Sequence, residues 1–83
     1  MNGAAPPLDE TLDLTGVPCP NNVARALVRL EGLASGAVLA ILVDDGEPAT
    51  NVADGVVADG HELLAREPVG RQWRLLVRRA NLP

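Results

Sequence analysis

Aromatic residues are almost missing from this 83-residue chain, which contains no Phe, no Tyr and a single Trp, at position 73. Its core must therefore be built from aliphatic side chains, chiefly those of Leu, Val and Ala. Proteins that bind single-stranded nucleic acid without sequence preference stack the bases on several aromatic rings. One ring cannot form such a platform, so the composition argues against this class of function.

The chain also lacks lysine and any surplus of positive charge. Seven arginines stand against eleven acidic residues, which gives a net charge of −4. Binding to a nucleic-acid backbone depends on many cationic side chains, so the net charge argues against it. Five of the seven arginines lie in the last 18 positions, where they could form a local basic face: Arg66, Arg71, Arg74, Arg78 and Arg79.

A single cysteine, Cys19, and a single histidine, His61, limit the chemistry further. They allow no internal disulfide and no zinc site of the usual Cys/His kind, so we expect no metal and no cofactor. No apolar run approaches the ~18 residues of a membrane span. Residues 1–8 lack the basic and apolar segments of a signal peptide. We therefore expect a cytoplasmic protein with a free thiol.

Hydrophobic periodicity and turn residues predict the order βαβαββ. The expected strands are residues 10–14, 37–43, 62–69 and 72–79, and the expected helices are residues 20–33 and 49–59. Gly36 and Gly60 are expected to end the two helices, and Gly70 marks a hairpin turn between the last two strands. We expect a single domain, residues 9–80, with tails at residues 1–8 and 81–83.

The predicted fold class is α/β. Right-handed crossovers would place both helices on one face of the sheet, giving a two-layer α/β sandwich. The four-stranded mixed sheet would have the order 1-2-4-3, with only strand 4 antiparallel because strands 3 and 4 form a hairpin. The other face would be open and would present Arg74, Leu76 and Arg78.

The candidate site is the segment GVPCPNN, residues 16–22. With Pro20 as the first helical residue, Cys19 would be the N-cap, and the N–H groups of Asn21 and Asn22 would point at its sulfur. The positive end of the helix dipole favours a thiolate, which is the nucleophilic form of cysteine. We therefore predict a reactive thiol at Cys19 rather than a small buried apolar residue.

His61 is a second candidate for chemistry. It could act as the general base of a Cys–His dyad, which would indicate an acyl hydrolase or transferase. No third residue stands out that would orient it, however. We therefore expect a histidine that complements the C-terminal end of helix 2.

Charged residues form two further candidate sets. Asp44, Asp45 and Glu47 could bind a hard cation, but they span only four positions, so we expect a solvated turn that begins helix 2. Arg25 and Arg29 lie one turn apart on the solvent side of helix 1. We predict that they dock an acidic partner surface near the sulfur, where charge acts on the association rate.

The stretch from Leu12 to Pro20 resembles the TusA/SirA family of small sulfur-carrier proteins. The family hallmark is a strand that ends in Gly, followed by Cys-Pro-x-Pro at the start of the first helix; here the glycine is Gly16 and the motif begins at Cys19. The similarity continues through Gly36, the Asp-Asp turn and the segment Gly-His-Glu-Leu at 60–63. Asn22 replaces the second motif proline, as in a Cys-Pro-x-Asn branch that also has the longer Asp-Asp-Gly-Glu-Pro turn.

The resemblance implies that Cys19 accepts and donates a sulfane sulfur as a persulfide, supported by Pro20, Asn21 and Asn22. The donor would be a cysteine desulfurase or another sulfurtransferase. The acceptor would be a further protein, in a relay that serves tRNA thiolation, molybdenum-cofactor enzymes or sulfur oxidation. Thiol exchange needs an accessible thiolate and no cofactor, so we expect a carrier rather than a self-contained enzyme. We also expect the carrier to be a monomer. No membrane partner and no direct nucleic-acid contact are expected.

Two functions from other classes are left open. In a redox-sensing or regulatory adaptor, Cys19 would be oxidised rather than persulfidated. In an RNA- or protein-binding module, the open sheet face would act without the cysteine. Replacement of Cys19 by serine separates these functions, because it abolishes relay and redox activity and leaves a binding module intact.

Overall fold

The computed structural model describes residues 10–80, so the predicted tails, residues 1–8 and 81–83, lie outside the described residues. The order of the elements confirms βαβαββ, and their bounds differ from the predicted ones by at most two residues. The elements are β1 (Glu10–Asp13), α1 (Asn21–Glu31), β2 (Val38–Asp44), α2 (Glu47–Ala58), β3 (Glu62–Val69) and β4 (Gln72–Arg78).

The four strands form one mixed sheet in the order β1-β2-β4-β3, as predicted. β1 pairs with β2 in parallel, with Leu12 opposite Ile41. β4 runs antiparallel to both of its neighbours, with Leu75 opposite Ile41 on β2. Because β1, β2 and β3 all point the same way, the residues that follow β1 and β2 meet at one end of the sheet, and the residues that precede β3 lie at the other end.

An aliphatic core lies between the helices and one face of this sheet. Alternate positions of β2 and β4 face the helices, as the period of two in a strand requires. Burial of these side chains is what stabilises the domain, since each large aliphatic side chain contributes about 1.5–3 kcal/mol when removed from water. The buried set is Leu14, Ala26, Leu30, Leu39, Ile41, Val43, Ala49, Val52, Ala53, Val56, Leu75 and Val77.

The two helices approach each other closely at Gly55 of α2. A Cβ atom at this position would lie 2.6 Å from Cγ1 of Val23 on α1. Such a distance is not tolerated between carbon atoms, so the helix spacing depends on a glycine here. A glycine that would weaken an isolated helix therefore allows the two helices to pack.

The ends of both helices differ from the prediction. Gly32 rather than Gly36 is the C-cap of α1, and Gly36, with φ +83°, lies in the following turn. The Arg79 side chain reaches back from the end of β4 and donates an Nε hydrogen bond of 2.6 Å to the carbonyl of Leu30, which satisfies part of this helix end. α2 begins two residues earlier than predicted because Pro48 lies in its first turn, where a proline costs no hydrogen bond.

Two arginines on the sheet face opposite the helices are paired with acidic side chains of β3. Arg74 lies 3.0 Å from a carboxylate oxygen of Glu67, and Arg78 lies 3.3 Å from one of Glu62. Leu76, between the two arginines on β4, is only 7% exposed. These two arginines already have acidic neighbours, which leaves less positive charge free for an RNA backbone. Neither helix of the described part of the chain has the length and apolar character required to cross a bilayer.

Candidate functional site

The loop between β1 and α1 is held by hydrogen bonds at both of its ends. At its start, the Asp13 carboxylate accepts bonds from the Thr15 hydroxyl, at 2.6 Å, and from the Thr15 backbone N–H, at 2.9 Å. These bonds hold the pKa of the Asp13 carboxyl below its ordinary value, with the hydroxyl as the larger cause. At the other end, the Asn22 N–H donates to the carbonyl of Pro18 at 3.1 Å.

The acidic turn after β2 anchors this loop. The Gly16 N–H donates a 2.7 Å hydrogen bond to the carboxylate of Asp44, which joins the loop to the end of β2. The neighbouring Asp45 accepts a 2.6 Å bond from the indole N–H of Trp73. The turn is therefore not merely solvated as expected, because two of its carboxylates hold specific N–H groups. Residues 10–80 contain no cluster of side chains that could hold a metal ion.

Cys19 lies exposed at the tip of the loop, and two side-chain amides meet its sulfur. Nδ2 of Asn22 on α1 and Nδ2 of Asn51 on α2 each donate to Sγ at 3.2 Å. The N-cap of α1 is Pro20, which follows a cis peptide bond, so the prediction that Cys19 is the N-cap is wrong. The donors to the sulfur are consequently side-chain amides and not the backbone N–H groups expected from the sequence.

Asn22 is the better held of the two amides. Its side chain is fully buried, and its Oδ1 accepts a 2.7 Å hydrogen bond from the N–H of Val23. Both polar ends of the amide are thus occupied, which orients the NH₂ group toward Sγ. Asn21, by contrast, is exposed, and within residues 10–80 the hydrogen bonds to the sulfur come from Asn22 and Asn51 instead.

Asn51 is a site residue that sequence reasoning missed. It lies on the solvent side of α2, 32 positions from Cys19 in the chain. A signal for it does exist, because α1 and α2 follow the parallel strands β1 and β2 and so begin at the same end of the sheet. A polar residue near the start of α2 is therefore a candidate neighbour of the loop. The helical register that brings it to the sulfur is set only by packing.

Chemically, the arrangement presents an accessible sulfur with two amide N–H donors directed at it. Hydrogen bonds to the charged form of a group stabilise that form. N–H donors that face an ion form stronger bonds than those that face a neutral atom. The sulfur remains exposed, so a reagent or a partner protein can reach it.

His61 lies at the other end of the sheet, because it precedes β3 whereas Cys19 follows β1. It is 5% exposed, its Nδ1 accepts the Ala80 N–H at 2.9 Å, and its Nε2 lies 3.3 Å from the carboxylate of Asp59. The imidazole therefore holds the chain after β4 through Nδ1, while its buried Nε2 faces the end of α2 without forming a hydrogen bond within residues 10–80. The topology therefore rules out a Cys–His dyad within the chain.

The two arginines predicted to bind a partner both lie on the exposed side of α1, but they differ in their surroundings. Arg29 forms an ion pair with Glu10 of β1, whereas Arg25 has no ion pair with any residue in the range 10–80. Both line a groove of about 500 Å³ between α1 and β1, together with Leu12, Ala24, Val28, Gly32 and Leu33. Val28 is 68% exposed there, so the groove combines an apolar surface with one unpaired positive charge.

Comparisons with known proteins identify the family of the chain. The family model for the sulfurtransferase TusA matches residues 10–79, and the chain therefore belongs to the TusA sulfurtransferase family. A relative from Archaeoglobus fulgidus, named "Putative sulfur carrier protein", is 32% identical over 72 residues, which cover 86% of this chain and 82% of that protein. The crystal structure of a SirA-like protein from Desulfitobacterium hafniense superimposes with a TM-score of 0.73 at 25% identity. It covers 87% of this chain and 99% of that one.

Proposed function

We propose that the protein is a sulfur carrier in which Cys19 holds a sulfane sulfur as a persulfide and passes it to another protein. The observation that carries the proposal is the exposed Cys19 sulfur with two amide donors directed at it. Membership of the TusA family and the similarity to a protein named as a sulfur carrier support the same role. Because Cys19 is the only cysteine, no resolving thiol is present in the chain, and a bound sulfur has to leave to another molecule.

The loading step is a thiol exchange that needs no added oxidant. The Cys19 thiolate attacks the terminal sulfur of a donor persulfide, R–S–SH. A new S–S bond forms at Cys19, the S–S bond of the donor breaks, and the donor leaves as the thiolate R–S⁻, while the proton stays on the transferred sulfur. Delivery is the same exchange with an acceptor thiolate as the attacking group.

The experiment is incubation with a cysteine desulfurase and cysteine, followed by intact mass measurement. We expect a gain of one sulfur, ~32 Da, that is lost on addition of a thiol reductant, as exchange chemistry requires. Cys19→Ser is the matched control and should gain nothing. The proposal is wrong if the wild-type chain gains no sulfur from any persulfide donor, or if the serine variant gains as much.

We further propose that the donor docks beside α1, where Arg25 contributes positive charge to the apolar groove. We expect Arg29 to contribute less than Arg25, because Arg29 forms an ion pair with Glu10. Exposed charges near an interface act mainly on the association rate and on its salt dependence. The pathway that receives the sulfur, the monomeric state and the cytoplasmic location stay predictions.

A further inference from the structure

We infer that the amides of Asn22 and Asn51 bias the loaded carrier toward releasing the sulfane sulfur that is bound to Cys19. Both amides donate to Sγ, which is the atom that becomes negatively charged when the sulfur departs. The inference deepens the proposed carrier function and rests on it. It assigns the two asparagines the task of setting how readily the loaded carrier gives up its cargo.

The argument follows the position of the negative charge. In the loaded carrier, Sγ is bonded to a second sulfur and is a neutral bridging atom, and any negative charge lies on the terminal sulfur. When an acceptor thiolate attacks the terminal sulfur, the bond between Sγ and that sulfur breaks, and its electron pair stays on Sγ. Hydrogen bonds directed at Sγ therefore stabilise the empty carrier more than the loaded one.

The same bonds improve Cys19 as a leaving group. In thiol exchange, a sulfur whose anion is better stabilised leaves faster, and stabilising the reduced form of a pair makes its oxidised form a stronger donor. The backbone N–H of Asn22 is already used by the Pro18 carbonyl, so it is not available to Sγ. The stabilisation comes instead from the side-chain amide of Asn22 and from that of Asn51 on the second helix.

The test uses Asn51, because its side chain is exposed and its replacement leaves the core untouched. Asn51→Ala removes one donor. Asn51→Asp has nearly the same shape but places a carboxylate beside the sulfur. Thr50→Val, at the preceding and likewise exposed position of the same helix, is the matched control. Each protein is equilibrated with glutathione persulfide and glutathione at one ratio and at alkaline pH, and the ratio of loaded to empty carrier is read from intact mass.

We expect the ratio of loaded to empty carrier to rise about threefold to tenfold in Asn51→Ala, the effect of losing one partly exposed hydrogen bond to an anion. In Asn51→Asp the ratio should rise at least as far, and in Thr50→Val it should equal that of the wild type.

The outcomes separate this inference from the proposed function. Equal ratios in the wild type and in both Asn51 variants, with sulfur gained by all of them, would overturn the role of the amides and leave the carrier standing. A ratio that falls in Asn51→Asp would overturn it as well, because the charge argument requires a rise. A wild-type chain that gains no sulfur at all would overturn both.

Discussion

Replacement of Gly55 by alanine gives the sharpest test of the helix packing, because local propensity and tertiary structure predict opposite signs. In an exposed helix interior, Gly→Ala stabilises by about 1 kcal/mol. In this structure, the added Cβ would lie 2.6 Å from Cγ1 of Val23. Val23 cannot easily turn aside, since a β-branched side chain in a helix has one strongly preferred rotamer.

The helices must therefore move apart, and overpacking of this kind costs about 1–3 kcal/mol. After the gain in helix propensity, we expect a net loss of up to about 2 kcal/mol in the free energy of unfolding. For a domain of this size, that loss corresponds to a fall in Tm of up to about 16 °C. Thermal and urea unfolding, followed by circular dichroism, measure both quantities.

The double variant Val23→Ala, Gly55→Ala provides the control. Because Val23→Ala removes the atom that clashes, Gly55→Ala should stabilise the chain in that background, with a coupling energy of about 1–3 kcal/mol, the overpacking cost that is removed. Stabilisation of the otherwise unchanged chain by Gly55→Ala would refute the close approach of the helices. Losses that simply add in the double variant would show that Val23 is not the obstacle.

Three further predictions test the loop, the histidine and the docking surface. Thr15→Val should raise the pKa of Asp13 toward its ordinary value in an NMR titration, because it removes the hydroxyl that chiefly lowers it. A carboxyl with a lowered pKa adds stability above its unfolded-state pKa and loses it as the pH falls through its folded-state pKa. Asp13→Asn should accordingly lose less stability than the wild type on acidification below about pH 4. The same dependence of unfolding free energy on acidic pH in both proteins would contradict this. His61→Leu should lower the free energy of unfolding by about 1–3 kcal/mol, because the Ala80 N–H loses its acceptor. Sulfur loading of the folded variant should match that of the wild type. A folded variant that loads less sulfur would instead place His61 in the mechanism. Arg25→Glu should slow loading from a desulfurase about threefold to tenfold at low salt, with little change in Tm, and a rate equal to that of the wild type would exclude Arg25 from docking.

Much of the fold is determined locally, and the sequence therefore predicts it. Three of its features depend only on neighbouring residues: the alternation through Leu12 and Leu14, the apolar run of β2 and the glycine turn at Gly70. Two general constraints, right-handed crossovers and the hairpin, then limit the strand order to a few possibilities that include the observed one. Cys19 is equally visible, because a lone cysteine between two prolines at a helix start is a local pattern.

The contacts that complete the site are decided only by tertiary structure. Hydrophobic periodicity shows which face of a helix is buried, but not how far the helix slides along its neighbour or how closely the two approach. The bond from Asn51 to Cys19 spans 32 positions, and that from Gly16 to Asp44 spans 28. The first depends on the spacing of the two helices at Gly55, and the second on the common direction of the neighbouring strands β1 and β2. The sequence alone therefore identifies the candidate sulfur, whereas the packing of the two helices determines which amides meet it.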